Sequence, residues 1–272
     1  MTQSDDRSES TRGRYTFGDN AVASTRLQRL ADLFRPSLET FVTARLSRPI
    51  RHLLDLGCGP GHTTRALAAL LRADRVTGVD HSTSFIEEAA RRPVPNVVYR
   101  VGDVTQSRDK AMPDVPPADA LYSRFLLTHL PHPREALSVW ASYVTAGAVC
   151  LLQETAAITG SHPALARYYE LVADLQRRHG QRLDIGRALS DLPDTCLYDV
   201  RFSGERRFSL PGSRMAELHR LNLMTWRHDP LAASFDPNEL ESLEAELAQI
   251  AEGQGGDAVV DYSMGELIVE RR

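Results

Sequence analysis

The chain has 272 residues, 42% of them hydrophobic and 25% charged, with a net charge of −4. This composition is that of a folded globular protein and excludes a disordered one. The slightly acidic balance, with both signs mixed along the length, excludes a general electrostatic drive toward nucleic acid or an anionic membrane.

Residues 1–14 are polar and charged, contain no apolar run of the signal-peptide kind, and read as a disordered tail. No stretch approaches the length of a membrane-spanning helix, so the cytoplasm is the expected location. Cys58, Cys150 and Cys196 are too widely spaced for a disulfide framework or a metal-ligand pattern, and no metal site is expected from them. The sequence leaves the oligomeric state open, a homo-oligomer included.

From Ala21 to Leu46 apolar residues recur at helical spacing (Leu27, Leu30, Leu33, Phe34, then Leu38, Phe41, Val42). Pro36 divides the run into two helices, and Pro49 ends it. Strands are predicted near 51–56, 75–80, 97–102, 118–123 and 147–154, with helices at 62–72, 83–91 and 132–145 between them. Near-continuous apolar strands separated by helices predict a parallel sheet with helices on both faces, an α/β fold. After Glu154 the alternation stops. Helices are predicted at 163–179, 184–192, 213–227 and 237–252, and closing strands at 200–210 and 258–270. The expected organisation is one domain over 15–272: N-terminal helices at 15–48, a ligand-binding core at 50–154, and a helical lid over the strand ends from 155–192 and 213–252, where loops carry function.

The first strand runs into Gly57-Cys58-Gly59-Pro60-Gly61. A strand, a glycine-dense turn and a helix N-terminus let a ligand lie against bare backbone. The spacing G-x-G-x-G is not that of a dinucleotide fingerprint, because His62 stands where the third glycine would be, and no Gly-Lys-Ser/Thr follows to make a P-loop. Taken alone, the motif is also compatible with a tight turn that needs glycine for backbone reasons. Two further acids change that. Asp80 closes the second strand, about twenty residues after the glycine loop, where a carboxylate accepts hydrogen bonds from ribose hydroxyls. Asp103 closes the third, where it could meet the exocyclic amine of an adenine. His129 and His132 have no further ligands at zinc spacing, and His129 reads as a structural cap or pocket wall.

The combination Asp55-Leu56-Gly57-Cys58-Gly59-Pro60-Gly61, Val79-Asp80-His81-Ser82 and Gly102-Asp103-Val104, with the fourth-strand segment Asp119–Leu130, resembles the class I S-adenosylmethionine-dependent methyltransferases. The resemblance is strong over about residues 50–155. It implies a Rossmann-like, seven-stranded, mostly parallel sheet with a reversed final hairpin, and S-adenosyl-L-methionine as cofactor. It implies cofactor contacts at Asp55, Gly57, Gly59, Asp80, His81, Gly102, Asp103, Val104 and Ser123: the two glycines at the methionine part, Asp80 at the ribose, Asp103 and Val104 at the adenine, and the backbone of Ser123 at the sulfonium. It also implies that the N-terminal helices close over the cofactor, with Tyr15 and Arg26 at its amino-acid end.

The lid and the absence of a basic surface point to a small-molecule acceptor, with no nucleic-acid or membrane partner. A sulfonium methyl is already activated, so the protein must chiefly hold the acceptor in line in a dry pocket. Glu154, at the end of the fifth strand, and Glu170, in the first lid helix, are the candidate catalytic carboxylates. The mix of aromatic residues and arginines in the lid suits C-methylation of an apolar alkene such as a prenyl diphosphate, where a carboxylate would deprotonate the carbocation and Mg²⁺ would be needed only for the diphosphate. O- or N-methylation of a small aromatic or amino metabolite is the alternative reading. An RNA or protein methyltransferase, or a cofactor-binding protein without catalysis, is the further one.

Overall fold

The computed structural model describes residues 21–46 and 48–272. Two helices, α1 (Ala21–Leu33) and α2 (Arg35–Arg45), precede the sheet, and Pro36 stands in the first turn of α2, where its missing N–H costs nothing. Then β1 (His52–Leu56), α3 (His62–Leu71), β2 (Arg75–Asp80), α4 (Thr83–Ala90) and β3 (Val97–Val101) alternate. A short helix α5 (Arg108–Ala111), β4 (Ala118–Arg124), α6 (Pro133–Trp140) and β5 (Val144–Gly160) follow. The C-terminal part holds α7 (Pro163–Arg178), β6 (Tyr198–Pro211), α8 (Gly212–Trp226), α9 (Pro237–Gln249) and β7 (Val259–Arg271).

The strands form one seven-stranded sheet in the order β3-β2-β1-β4-β5-β7-β6. The first five are parallel, and β7 runs antiparallel to both β5 and β6. This is the Rossmann-like, mostly parallel sheet with a reversed final hairpin expected from the sequence. Every residue of β1 is buried, as a central strand covered on both faces requires. Leu54, Leu56, Leu121 and Trp140 pack on one face; Leu38, Phe41, Leu53 and Tyr122 pack on the other.

Two elements depart from expectation. The fifth strand begins at Val144 and reaches Gly160, because its far half pairs with β7 out to Gly160 opposite Val260. The segment 185–191 is a 3₁₀ turn instead of an α-helix. Gly186 in it lies so close to β5 that a Cβ would stand 2.5 Å from the Glu154 carbonyl oxygen.

A third core cluster joins the later helices to the N-terminal ones. Phe34 belongs to it with Tyr168, Tyr169, Leu218, Trp226 and Tyr262, and the Phe34 ring meets Tyr262 at 4.8 Å and Phe125 at 5.2 Å, both edge-on. Helices α7 and α8 thus close with α1 over the C-terminal ends of the parallel strands. That placement makes a chamber above the sheet edge. Among the described residues, no helix is long and apolar enough to cross a membrane.

Candidate functional site

The glycine loop takes its shape from backbone that side chains disfavour. Gly57, Gly59 and Gly61 have φ of +72°, +51° and +76°, in the left-handed region that glycine enters without penalty. A Cβ on Gly57 would also stand 3.0 Å from Leu126 Cδ1, so the loop and the end of β4 approach at bare backbone. The N–H groups of Gly57 and Cys58 donate to the Val79 carbonyl at 2.8 and 3.0 Å. The Gly59 N–H donates to Asp80 Oδ2 at 2.8 Å.

Asp80 therefore belongs to the loop as well as to β2. Its Oδ1 accepts the Ser82 N–H at 2.9 Å and lies 3.4 Å from His81 Nδ1. The Asp80 carbonyl in turn accepts the Gly102 N–H at 2.9 Å, which locks the third strand end to the second. Asp103 is exposed at the rim, and its Oδ1 accepts the backbone N–H and the hydroxyl of Thr105 at 2.9 and 2.7 Å. Oδ2 of Asp103 makes no hydrogen bond among the described residues. Val104 is buried beside it.

These three strand ends border a cavity of about 1060 Å³. Gly57, Gly59, Asp80, His81, Gly102, Asp103 and Val104 line one end of it, and Arg26 of α1 lines its roof. Arg26 is buried, and its Nη1 donates to Asn222 Oδ1 of α8 at 3.2 Å. The structure thus brings together eight of the residues singled out for cofactor contact. Tyr15 lies outside the described residues.

Asp55 and Ser123 are not on the cavity wall. Asp55 is buried under the loop, where it accepts the Thr64 hydroxyl at 2.6 Å, and burial pushes its carboxyl up to about 7. It ties β1 to the start of α3. The Ser123 hydroxyl is fully buried and donates to the Leu56 carbonyl at 3.3 Å. The wall next to Gly57 is formed by Arg124, Phe125 and Leu126 instead. Phe125 has φ of +56°, an uncommon conformation for an aromatic residue and one of the forms of local strain that cluster at functional sites.

Neither candidate carboxylate reaches the chamber. Glu170 is exposed on α7 and does not line the cavity; it is corrected to a solvent-facing residue. The reason is helical period: Leu165, Tyr168, Tyr169, Val172 and Gln176 form the buried stripe, and Glu170 falls outside it. Glu154 is corrected to a structural role. It is 1% exposed and off the cavity wall, and its Oε1 accepts the N–H groups of Leu126 and Leu127 at 2.8 and 2.7 Å. Burial pushes this carboxyl up to about 8, against the pull of those backbone donors. It braces, from behind, the segment that carries Phe125.

The far end of the cavity is aromatic and polar. Phe34, Phe125, Tyr168, Tyr169 and Tyr262 line it, with Thr155, Gln176, His219 and Asn222 among them. His219 of α8 is 4% exposed and stacks on Tyr168 at 4.1 Å. Its Nε2 shares a 2.7 Å hydrogen bond with the Tyr169 hydroxyl, and desolvation pushes the imidazole down to about 3. Half-buried His129 also lines the cavity, its imidazole likewise pushed down to about 3 by desolvation first and by the Arg26 charge second.

The sequence reading named none of Arg124, Gln176, His219 or Asn222 as site residues. A signal for three of them was present: Gln176 on the stripe of α7, and His219 and Asn222 on the stripe of α8 with Met215 and Leu218, are polar residues at core-facing helical positions. Among the described residues no group of three or more His, Cys, Asp or Glu side chains is placed to hold a metal ion.

The donor set fits S-adenosylmethionine: a bare-backbone loop that Cβ atoms would crowd, a carboxylate at ribose position, and a carboxylate beside buried Val104 for the adenine. A family model described as a methyltransferase domain matches residues 53–147. Trans-aconitate 2-methyltransferase of Methylobacterium nodulans is 32% identical over 119 residues, 44% of this chain and 43% of that protein. The chain thus matches less than half the length of that curated relative. Among solved structures, the YcgJ protein of Bacillus subtilis superposes with a TM-score of 0.53 at 18% identity, covering 88% of this chain and 99% of that one. Coclaurine N-methyltransferase bound to N-methylheliamine and S-adenosylhomocysteine superposes with a TM-score of 0.51 at 14% identity, covering 87% and 70%. At such identities the likeness is one of fold. Residues 53–147 therefore match a methyltransferase domain, and the sheet order and strand-end residues around them fit the class I S-adenosylmethionine-dependent type.

Proposed function

We propose that this protein transfers the methyl group of S-adenosylmethionine to a heteroatom of a small acceptor held in the aromatic end of the cavity. One observation carries the reading: a single cavity joins the glycine loop, Asp80 and Asp103 at one end to Tyr168, Tyr169, His219 and Tyr262 at the other. Bound S-adenosylmethionine would supply a methyl group on a cationic sulfur, a leaving group that needs no further activation. The chain's own residues hold and shield. Asp80 and Asp103 fix the nucleoside end, and Arg124, Phe125 and Leu126 form the wall against Gly57. Helices α1, α7 and α8 exclude water, which strengthens each remaining electrostatic contact. A roof of this kind suits a small molecule better than an RNA or protein segment.

The alkene reading loses support. It requires a carboxylate at the acceptor end, whereas the lining carboxylates Asp80 and Asp103 stand at the other end. A second reading, methyl transfer to a carboxylate acceptor, is favoured by Arg26 and Arg124 on the cavity wall and by the trans-aconitate methyltransferase name of the curated relatives. A carboxylate is already anionic and needs no base.

Calorimetric titration with S-adenosylhomocysteine, followed by incubation with methyl-labelled donor and panels of phenols, amines and carboxylic acids, tests both readings. Binding together with label transferred to one panel is expected. Folded protein that ignores S-adenosylhomocysteine refutes the reading.

A further inference from the structure

The sheet ends in a strand whose outer edge no other strand covers. β6 is last in the strand order and runs 14 residues, long for an exposed edge. Its register with β7 shows which backbone groups face outward. The Gly212 N–H donates to the Ala258 carbonyl at 2.8 Å, on the same register that pairs Leu210 with Val260 and Phe208 with Tyr262. Antiparallel strands exchange hydrogen bonds at every second residue, so the even-numbered residues 202–210 turn their N–H and C=O groups toward β7. The Ser161 N–H on the Val259 carbonyl agrees, because it turns Val259 toward β5 and leaves Ala258 and Val260 for β6. Ser203, Glu205, Arg207 and Ser209 therefore aim their backbone groups away from the sheet, and among the described residues no backbone group outside the sheet bonds them. Their side chains share one face and are all exposed. Glu205 and Arg207 are 40% and 84% open to solvent and lie 3.9 Å apart, a loose pair within the strand.

On alternate residues this edge is Ser-Glu-Arg-Ser, an order that complements itself when reversed. We propose that β6 pairs antiparallel with β6 of a second copy of this chain, Arg206 opposite Arg206, so that two seven-stranded sheets join into one. In that register Glu205 faces the partner's Arg207, Arg207 faces the partner's Glu205, and each Ser203 faces a Ser209. Each facing pair exchanges two backbone hydrogen bonds. Pro211, which has no N–H, stands beyond the paired stretch and ends the ladder. The charges select the register. Outward residues can face only outward residues, so the next registers available set Glu205 on Glu205 or Arg207 on Arg207, and like charges directly opposite are destabilising. On the other face the axis brings Arg206 to Arg206, and each is already neutralised by buried Glu266 at 3.0 Å. Phe208 there meets the partner's Gly204, which has no side chain to obstruct it. A long open edge is a template for uncontrolled pairing, whereas this one closes by a twofold axis. The proposal does not depend on the methyl-transfer reading.

Sedimentation of the full chain at concentrations up to about 0.1 mM tests this. A monomer–dimer equilibrium is expected. Glu205→Arg alone and Arg207→Glu alone each turn both Glu–Arg contacts into like pairs, and each should weaken dimerisation about ten-fold or more. The two single variants mixed one to one should form a heterodimer. The double variant, Glu205→Arg with Arg207→Glu, should recover the wild-type constant within a few-fold, because it restores opposite charges at both contacts. Amide exchange supplies a second readout: the amides of Glu205, Arg207 and Ser209 should slow as protein concentration rises, while those of Gly204, Arg206 and Phe208, already bonded to β7, change little. Sedimentation as a monomer throughout overturns the proposal. A dimer that tolerates either single reversal overturns it too, as does one that the folded double variant fails to restore. If a reversal unfolds the chain, the contrast between odd and even amides of the wild type decides.

Discussion

Replacing Glu154 by glutamine should change how stability depends on pH far more than it changes stability near pH 5. The wild-type carboxyl has its folded value raised from 4.5 to about 8, with burial the largest cause. A raised carboxyl value means that the folded chain binds a proton the unfolded chain has released. The contribution is therefore fully present below pH 4.5 and is lost as pH rises through the window to about 8. The slope is about 1.4 kcal/mol per pH unit, so the whole window is worth up to about 5 kcal/mol. Glutamine keeps an oxygen for the N–H groups of Leu126 and Leu127. Its amide nitrogen would occupy the place of Oε2, which has no hydrogen-bond partner among the described residues, at a pH-independent cost of about 1–3 kcal/mol. Asp55, raised to about 7, contributes a slope of the same sign to both proteins, and the difference between the two removes it. Urea unfolding at intervals from pH 5 to pH 9 is the assay. The variant should start less stable than wild type and overtake it as pH rises. Parallel curves over that range would refute the placement of Glu154 as a buried, protonatable brace.

Three further substitutions probe the same architecture. Asp80→Ala removes the acceptor of the Gly59 and Ser82 N–H groups and should weaken S-adenosylhomocysteine binding at least ten-fold by calorimetry, about 1.4 kcal/mol or more. Gly61→Ala would force a side chain onto φ +76° with its Cβ 2.5 Å from the Tyr99 hydroxyl oxygen; a loss of about 1–3 kcal/mol in thermal or urea unfolding is expected. Glu170→Ala, on the exposed face of α7, should leave methyl transfer unchanged and stability within about 0.5 kcal/mol. A large loss of turnover there would restore the base role that the structure removes.

The cofactor end could be read from the sequence because each of its parts is local. A buried strand, then a glycine or an acid, is a pattern contained in a few residues, and a parallel sheet brings every such strand end to one edge. Gly57, Asp80 and Asp103 are adjacent in space for that reason alone. Asp55 and Ser123 stand near the same sheet edge but off the cavity wall, a distinction decided by which neighbour engages each side chain. Asp55 finds Thr64, and Ser123 finds the Leu56 carbonyl. Glu154 misled in another way. An acid ending an apolar strand at the active edge has the address of a catalytic base, and only the two backbone N–H groups of the neighbouring turn reveal that it is already engaged.

The acceptor end has no such local grammar. Tyr169 and His219 meet only because α7 follows β5 and α8 follows β6, so that the antiparallel pairing of β7 with both strands draws the two helices together over the same edge. Nothing within either helix announces the other. What the sequence did contain was a conflict: His219 and Asn222 on an apolar stripe of α8, and Gln176 on that of α7. A buried polar residue costs stability unless it is paired, and two stripes that carry three of them between them need a partner for each. Asn222 finds Arg26 and His219 finds Tyr169, while Gln176 Oε1 and His219 Nδ1 find none among the described residues. Both of those residues line the same cavity. Polar side chains thus stand among the aromatic residues of that wall, so a molecule held there meets hydrogen-bonding residues as well as ring faces. Gln176 stands seven residues beyond Tyr169 on one helix, about 10 Å along its axis, so the polar residues are spread along the wall instead of gathered at one point.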